Sequence, residues 1–331
     1  MRALITGGCG FIGHHLVEHI IKNTDWEIVV LDKLNYASNG FDRLRDISCF
    51  NHKRISILTS DFTKALPEGV TQEIGSLDYI FHLGAETHVD RSIDEPEPFV
   101  MSNVVGTMHI LNFARTQKNL RKMIYFGTDE VFGAAPVGKF YKEWDRYNSG
   151  NPYSAAKAGG EELCLAYANT YKLPVSITHT MNAFGERQHY EKFVPSSIVK
   201  ILKGETVIVH SDFTKTIPGS RFYIHCRNIA GALLFLVDKA VVGDKYNIVG
   251  EKEINNLEMV KFIAGVLGKE LKYELVSWHE SRPGHDLRYA LDGTKMKELG
   301  WELPVNFEDS LTRTIEWSLD NKRWLGYEQI I

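Results

Sequence analysis

Residues 5–15 read ITGGCGFIGHH, and the fold turns on how they are read. The apolar run RALIT (2–6) ends in a turn with glycines at 7, 10 and 13, and FIGHHLVEHIIKN (11–23) then has the spacing of an amphipathic helix. Gly7, Gly10 and Gly13 permit a tight turn and close backbone approach to a pyrophosphate. That group would rest on the free N–H groups of the helix opened by Phe11 and Ile12. The same turn could be a plain strand–helix connection; its place between the first strand and first helix favours a dinucleotide. The next strand, EIVVL (27–31), ends in Asp32, where a carboxylate bonds the adenosine ribose hydroxyls and repels a 2′-phosphate. NAD is the cofactor this implies. Lys33 would soften that preference, and Asp61, followed by Phe62, is placed to reach the adenine.

The alternation continues outward. RISIL (54–58), DYIFHL (78–83), KMIYF (122–126) and PVSIT (174–178) are short and rich in β-branched residues, with helical patterns such as 97–117 between several of them. Strand–helix alternation predicts an α/β fold, a doubly wound parallel (Rossmann) sheet with helices on both faces. After about residue 180 helical patterns at 194–204, 226–240, 256–268 and 307–320 are separated by irregular polar stretches. The expected division is an NAD-binding domain at 1–180 and a smaller, mainly substrate-binding α/β domain at 181–331. KYNIVG (245–250) reads as a strand that could return to the first sheet.

Composition narrows the class. A chain of 331 residues, 44% hydrophobic and 24% charged, is that of a soluble globular protein, and a net charge of −4 favours neither nucleic acid nor an anionic membrane as partner. No apolar stretch approaches the ~20 residues of a membrane span, and MRALITGG shows no secretory pattern. Scattered cysteines at 9, 49, 164 and 226 point to the cytoplasm, and no histidine or cysteine cluster suggests a metal.

Two stretches carry candidate chemistry. FGTDEVFG (126–133) sets Asp129 and Glu130 side by side after a buried strand. Carboxylates there are costly if buried and unremarkable in a solvated turn, so a turn and an acid/base pair both stay open. NPYSAAKAGGEELCLAY (151–167) sets Tyr153 and Lys157 four residues apart on one helical face. An ammonium and a bound nicotinamide would lower the phenol pKa enough for it to act as a base at neutral pH. Alone, this spacing is also an ordinary surface turn of helix.

Together with the glycine turn and Thr128, these motifs resemble those of the extended short-chain dehydrogenase/reductases, NAD-dependent nucleotide-sugar enzymes, and among them the dTDP-glucose 4,6-dehydratase group. DKLNYASN (32–39), HLGAETHVDRSI (82–93), EKFVP (191–195) and RPGHDLRYALD (283–292) carry the same resemblance. Epimerases of the superfamily are similar in turn and helix but typically have small hydroxyl residues in place of the acidic pair. The resemblance implies a hydro-lyase of deoxysugar biosynthesis, of which rhamnose is an example. In it Tyr153, helped by Lys157 and Thr128, takes the 4-hydroxyl proton as C4 is oxidised. Glu130 then removes the C5 proton while Asp129 protonates the departing 6-hydroxyl, and the hydride returns to C6.

It further implies that Gly84 and Ala85 pass close to the cofactor, that Glu86, Thr87 and Asp90 contact its ribose or the sugar, and that Asn182, Glu191 and Lys192 bind substrate. Arg221 and Arg288 are candidates for the phosphates, since guanidinium forks suit phosphate oxygens. His285 and Tyr289 could line the nucleotide; His88 reads equally as a turn or core residue. Residues 210–228, HTM (179–181) and Ala183 depart from the dTDP-glucose pattern, which leaves dTDP-glucose, UDP-glucose and UDP-N-acetylglucosamine open as substrates. A nucleotide-sugar 4-epimerase and a non-catalytic NAD-binding regulator are the alternative functions. Helices near 97–117 and 153–171 imply a homodimer, although helices packed within one subunit read the same way.

Overall fold

The structure is a computed structural model that describes residues 1–277 and 286–326. Six strands from the first 180 residues form its centre: β1 (Arg2–Thr6), β2 (Glu27–Asp32), β3 (Ile55–Thr59), β4 (Tyr79–His82), β5 (Lys122–Thr128) and β6 (Val175–Thr180). The strand Lys245–Ile248 lies beside β6, and the sheet runs from it through β6, β5, β4, β1 and β2 to β3. All six pairings are parallel. The order reverses between β1 and β4, and ligands of open parallel sheets bind in the crevice beyond the strand ends at such a switch point.

These strands read as unbroken apolar runs because both of their faces are covered. Ala3 and Ile5 point to one core, with Leu16, Ile20, Leu233 and Leu236 from the helices Phe11–Asn23 and Cys226–Lys239. Leu4 points to the other, with Ile110, Leu111, Cys164 and Ala168 from the helices Thr107–Thr116 and Pro152–Tyr171. A third core, around Ile198, Val260, Ile263, Leu311 and Ile315, belongs to the helices Phe193–Lys203, Asn256–Leu267 and Phe307–Asp320. Chain position does not divide these layers, since the helix Cys226–Lys239 packs on the sheet and the strand Lys245–Ile248 is part of it.

The pattern at 97–117 is not one α-helix. A π-helical turn, Met101–Gly106, separates the α-helical Glu97–Val100 from Thr107–Thr116. It buries Asn103, whose side chain accepts from the Glu86 N–H (2.9 Å) and donates to the Glu86 carbonyl (3.0 Å). This amide completes the backbone bonding of a loop beside the crevice, which is where π turns tend to occur.

Candidate active site

The glycine turn is built by close approach. Gly7 has φ +70°, and a Cβ on it would sit 2.8 Å from the Gly84 Cα; a Cβ on Gly13 would sit 2.1 Å from the Gly7 oxygen. Gly10 caps the helix Phe11–Asn23 without any side chain to bond its first N–H groups. Those donors and the helix dipole suit an anionic group. The Asp32 carboxylate accepts from Cys9 N–H (3.0 Å) and Leu34 N–H (2.9 Å); burial raises its pKa, and these bonds oppose the rise. The cradle therefore fits a dinucleotide. Lys33 turns instead to Glu86, 2.6 Å away.

One cleft of about 320 Å³ opens here, at the carboxyl ends of the strands. Its wall includes Gly7, Gly10, Phe11, Ile12, Gly13, Asp32, Lys33, Phe62, Gly84, Ala85, Glu86, Thr87, Thr128, Asp129, Glu130, Tyr153, Lys157, Asn182 and Lys192. Residues up to 185 apart in sequence are thus gathered at one place.

At Thr128 the chain leaves β5 and enters a single 3-10 turn, Asp129–Phe132, capped by the Thr128 hydroxyl. On a regular strand adjacent side chains point to opposite faces; the turn lets both carboxylates face the cleft. Thr128 donates to Asp129 Oδ1 (3.2 Å), while Asp129 Oδ2 has no hydrogen-bond partner among the described residues. Burial, then the neighbouring Glu130 charge, push the Asp129 carboxyl up to about 7, against the pull of Arg221. Glu130 is partly exposed, and its pKa is also raised by burial. Arg221, a 3.4 Å hydrogen bond from Asn151 and Lys192 oppose that rise. Asp129 can therefore hold a proton near neutral pH beside a second carboxyl that accepts one.

The helix Pro152–Tyr171 starts at a capping box: Asn151 accepts from Ser154 N–H (2.8 Å) and the Ser154 hydroxyl accepts in return from Asn151 N–H (3.3 Å). The same Asn151 reaches Glu130, so the cap ties the helix to the acid pair. Tyr153 and Lys157 are 8% and 4% exposed. Lys157 Nζ donates to the Phe126 carbonyl (2.6 Å) and lies 4.2 Å from the Tyr125 ring centroid. Burial lowers the Lys157 pKa to about 8, with Glu161 opposing. Burial, then Glu130, raise the Tyr153 phenol, and a hydrogen bond with Thr128 opposes that rise.

The chain matches the family model described as GDP-mannose 4,6 dehydratase over residues 4–314. It belongs to this family of nucleotide-sugar 4,6-dehydratases. Over 98% of its length it is 35% identical to an Escherichia coli dTDP-glucose 4,6-dehydratase, covering 95% of that protein. Over 96% it is 38% identical to the low-salt glycan biosynthesis protein Agl12 of Haloferax volcanii, covering 99% of it. Its fold matches the crystal structure of DesIV, a dTDP-glucose 4,6-dehydratase of Streptomyces venezuelae solved with NAD, at a TM-score of 0.89 and 33% identity over 98% of both chains.

Other expected residues lie off this wall. Exposed Asp61 bonds Thr63 N–H (2.9 Å). Glu191 pairs with His189 (3.4 Å). Asp90 sits in the first turn of the helix Val89–Asp94, and His88 accepts from Arg91 N–H (3.4 Å) as the cap of that helix. Arg288 closes its fork on Glu253 (2.7 and 2.9 Å) and donates to the carbonyls of Pro136 and Lys139. Arg221 donates to the carbonyls of Ser220, Asp286 and Leu287. A phosphate role for either arginine would require exchanging these bonds. Tyr289 is buried under Arg221, and His285 lies outside the described residues.

Sequence reasoning missed Ser102, Thr180 and Gln188, which line the cleft. Their side-chain oxygens, with that of Asn182, are buried without a hydrogen-bond partner among the described residues. Buried oxygens of this kind need donors, and a hydroxyl-rich ligand brings them. The available signal was polar side chains interrupting apolar runs, as in VMSNVV (100–105).

Proposed function

We propose that this chain converts a nucleoside-diphosphate hexose, dTDP-glucose or UDP-glucose first, to the 4-keto-6-deoxyhexose, with NAD held as a resident cofactor. The observation that carries it is an adjacent carboxyl pair, buried Asp129 and partly exposed Glu130, in one cleft with Tyr153 and Lys157. Held by the glycine turn and Asp32, NAD would supply the acceptor for the C4 hydride and its donor to C6, so that net redox would be zero. Tyr153 takes the 4-hydroxyl proton, with the Lys157 ammonium and the Thr128 hydroxyl stabilising its phenolate. Oxidation at C4 acidifies the C5 proton, which Glu130 removes. Asp129, still protonated near neutral pH, delivers its proton to the leaving 6-hydroxyl. An epimerase needs only the tyrosine half of this site; the acid pair would have no task in it.

Incubation with dTDP-glucose, UDP-glucose and UDP-N-acetylglucosamine in deuterated water, followed by mass spectrometry, tests the reading. Loss of one water with one deuterium at C5 is expected, and the sugar that reacts names the nucleotide. A 4-epimer of unchanged mass would overturn it.

We also infer a homodimer through the helices near 97–117 and 153–171, supported by the exposure of Val100, Met101 and Tyr171; light scattering tests it. A cytoplasmic setting is supported by four free cysteines, all buried. Among the described residues, no helix is long and apolar enough to cross a membrane.

A further inference from the structure

One turn beyond Lys157 on the same helix stands Glu161, 0% exposed, which none of the steps above uses. Both side chains lie against the same piece of β5. Lys157 Nζ bonds the Phe126 carbonyl, and Glu161 Oε1 lies 2.5 Å from the place a Cβ on Gly127 would occupy. Glycine at 127 makes room for this carboxylate.

Its other oxygen is held firmly. Glu161 Oε2 accepts from the Tyr147 hydroxyl and lies 3.0 Å from His179 Nε2. His179 Nδ1 lies 2.9 Å from Asn247 Oδ1, and the Asn247 amide is committed to the carbonyls of Tyr141 and Asp292 (both 3.0 Å). Lys245 Nζ donates to the Tyr147 hydroxyl oxygen (2.5 Å). Oε1 has no hydrogen-bond partner among the described residues.

A fully buried carboxylate is costly unless a charge compensates it. Around Lys157 the groups able to matter are Glu161 and Cys164 on its own helix, Tyr125 on β5 and His82 on β4. Only Glu161 among them is a carboxylic acid. We propose that Glu161 is a positioning residue whose carboxylate keeps Lys157 charged inside the protein, so that Tyr153 and not Lys157 releases the first proton of the pair. The proposal rests on the reading of Tyr153 as the base. Burial lowers Lys157, and Glu161 is the largest influence in the opposite direction. Glu161 also raises the Tyr153 phenol, but there it is the last of the named causes, whereas for Lys157 it is the largest charge; without it the pair would therefore shift toward a neutral amine beside a neutral phenol, a form with the same net charge and no base.

Two measurements separate this from a merely structural role. In Glu161→Gln, the isosteric amide keeps the packing and removes the charge. Its kcat near pH 7 is expected to fall about tenfold for each tenfold gain in Lys157 acidity, with the acid limb of the pH profile moving to lower pH. A loss of rate with an unmoved limb would overturn the proposal. The second measurement needs no substrate. Lys157→Met strands the Glu161 charge and is expected to melt below the parent, while Lys157→Met/Glu161→Gln, with neither charge, melts above Lys157→Met. Melting shifts that simply add would overturn the pairing, even if none of the three nucleotide sugars reacts.

Discussion

Replacing Asp129 by asparagine should stabilise the folded chain above neutral pH while removing its activity. Burial and the Glu130 charge lift this carboxyl from an ordinary 3.8 to about 7. Below pH 4 it is protonated in both the folded and the unfolded chain, and its effect on stability is absent. Between about pH 4 and pH 7 the unfolded chain releases the proton and the folded chain keeps it, so stability falls as pH rises. Past the folded value the loss is complete, about 4 kcal/mol at 1.36 kcal/mol for each tenfold change in acidity. Asp129→Asn has no proton to lose and escapes this penalty. With an unfolding entropy near 2.1 cal/mol/K per residue over 331 residues, about 4 kcal/mol corresponds to roughly 6 °C in Tm. Calorimetry of both proteins at pH 8 and pH 4.5 should show the gain at the higher pH and most of it gone at the lower. Turnover should drop by about 10²–10⁴, the usual worth of a positioned acid. A variant that melts at or below the parent at pH 8, or a gain independent of pH, would refute the account of Asp129 as a buried acid.

Tyr153→Phe should lower turnover by about 10²–10⁴ with little change in Tm, read by steady-state kinetics and calorimetry. Glu130→Gln should leave C5 of the sugar without deuterium after incubation in deuterated water; wash-in at the parental rate would assign the base elsewhere. Gly13→Ala forces a Cβ to within 2.1 Å of the Gly7 oxygen, and the purified protein should carry far less NAD per chain than the parent. Asn103→Ala removes both bonds to the Glu86 backbone and should cost about 2 kcal/mol of stability in denaturant titration, roughly 1 kcal/mol for each bond.

The sheet was legible because burial on both faces writes each strand as an apolar run. Where composition changes, strand ends are harder to read: the apolar run of β5 stops at Phe126, yet Gly127 and Thr128 still pair with His179 and Thr180. A Gly-Thr step reads locally as a turn, and only the neighbouring strand keeps it extended. Asp129 and Glu130 were visible as residues, but the 3-10 turn that aims both into the cleft was not, since it arises where the ladder ends. Arg221 and Arg288 show the limit most clearly. Their donors meet carbonyls at 135–139, 220 and 286–287 and the carboxylate of Glu253, contacts that no local pattern encodes. Spacing alone likewise could not separate a π turn from an α turn at 101–106, because both keep the same residues roughly inward.

That turn also bears on how the gene can change. A π turn spaces its bonds five residues apart where an α turn spaces them four, so the stretch Met101–Gly106 amounts to an insertion absorbed within a helix. Deleting one codon there would let the helix close up as regular α and rotate one side of it against the other by about 100°. Asn103 would then leave the Glu86 loop, or Ile110 and Leu111 would leave the core. The frame of this helix is therefore far less free to vary in length than its exposed flank, Val100 and Met101, suggests.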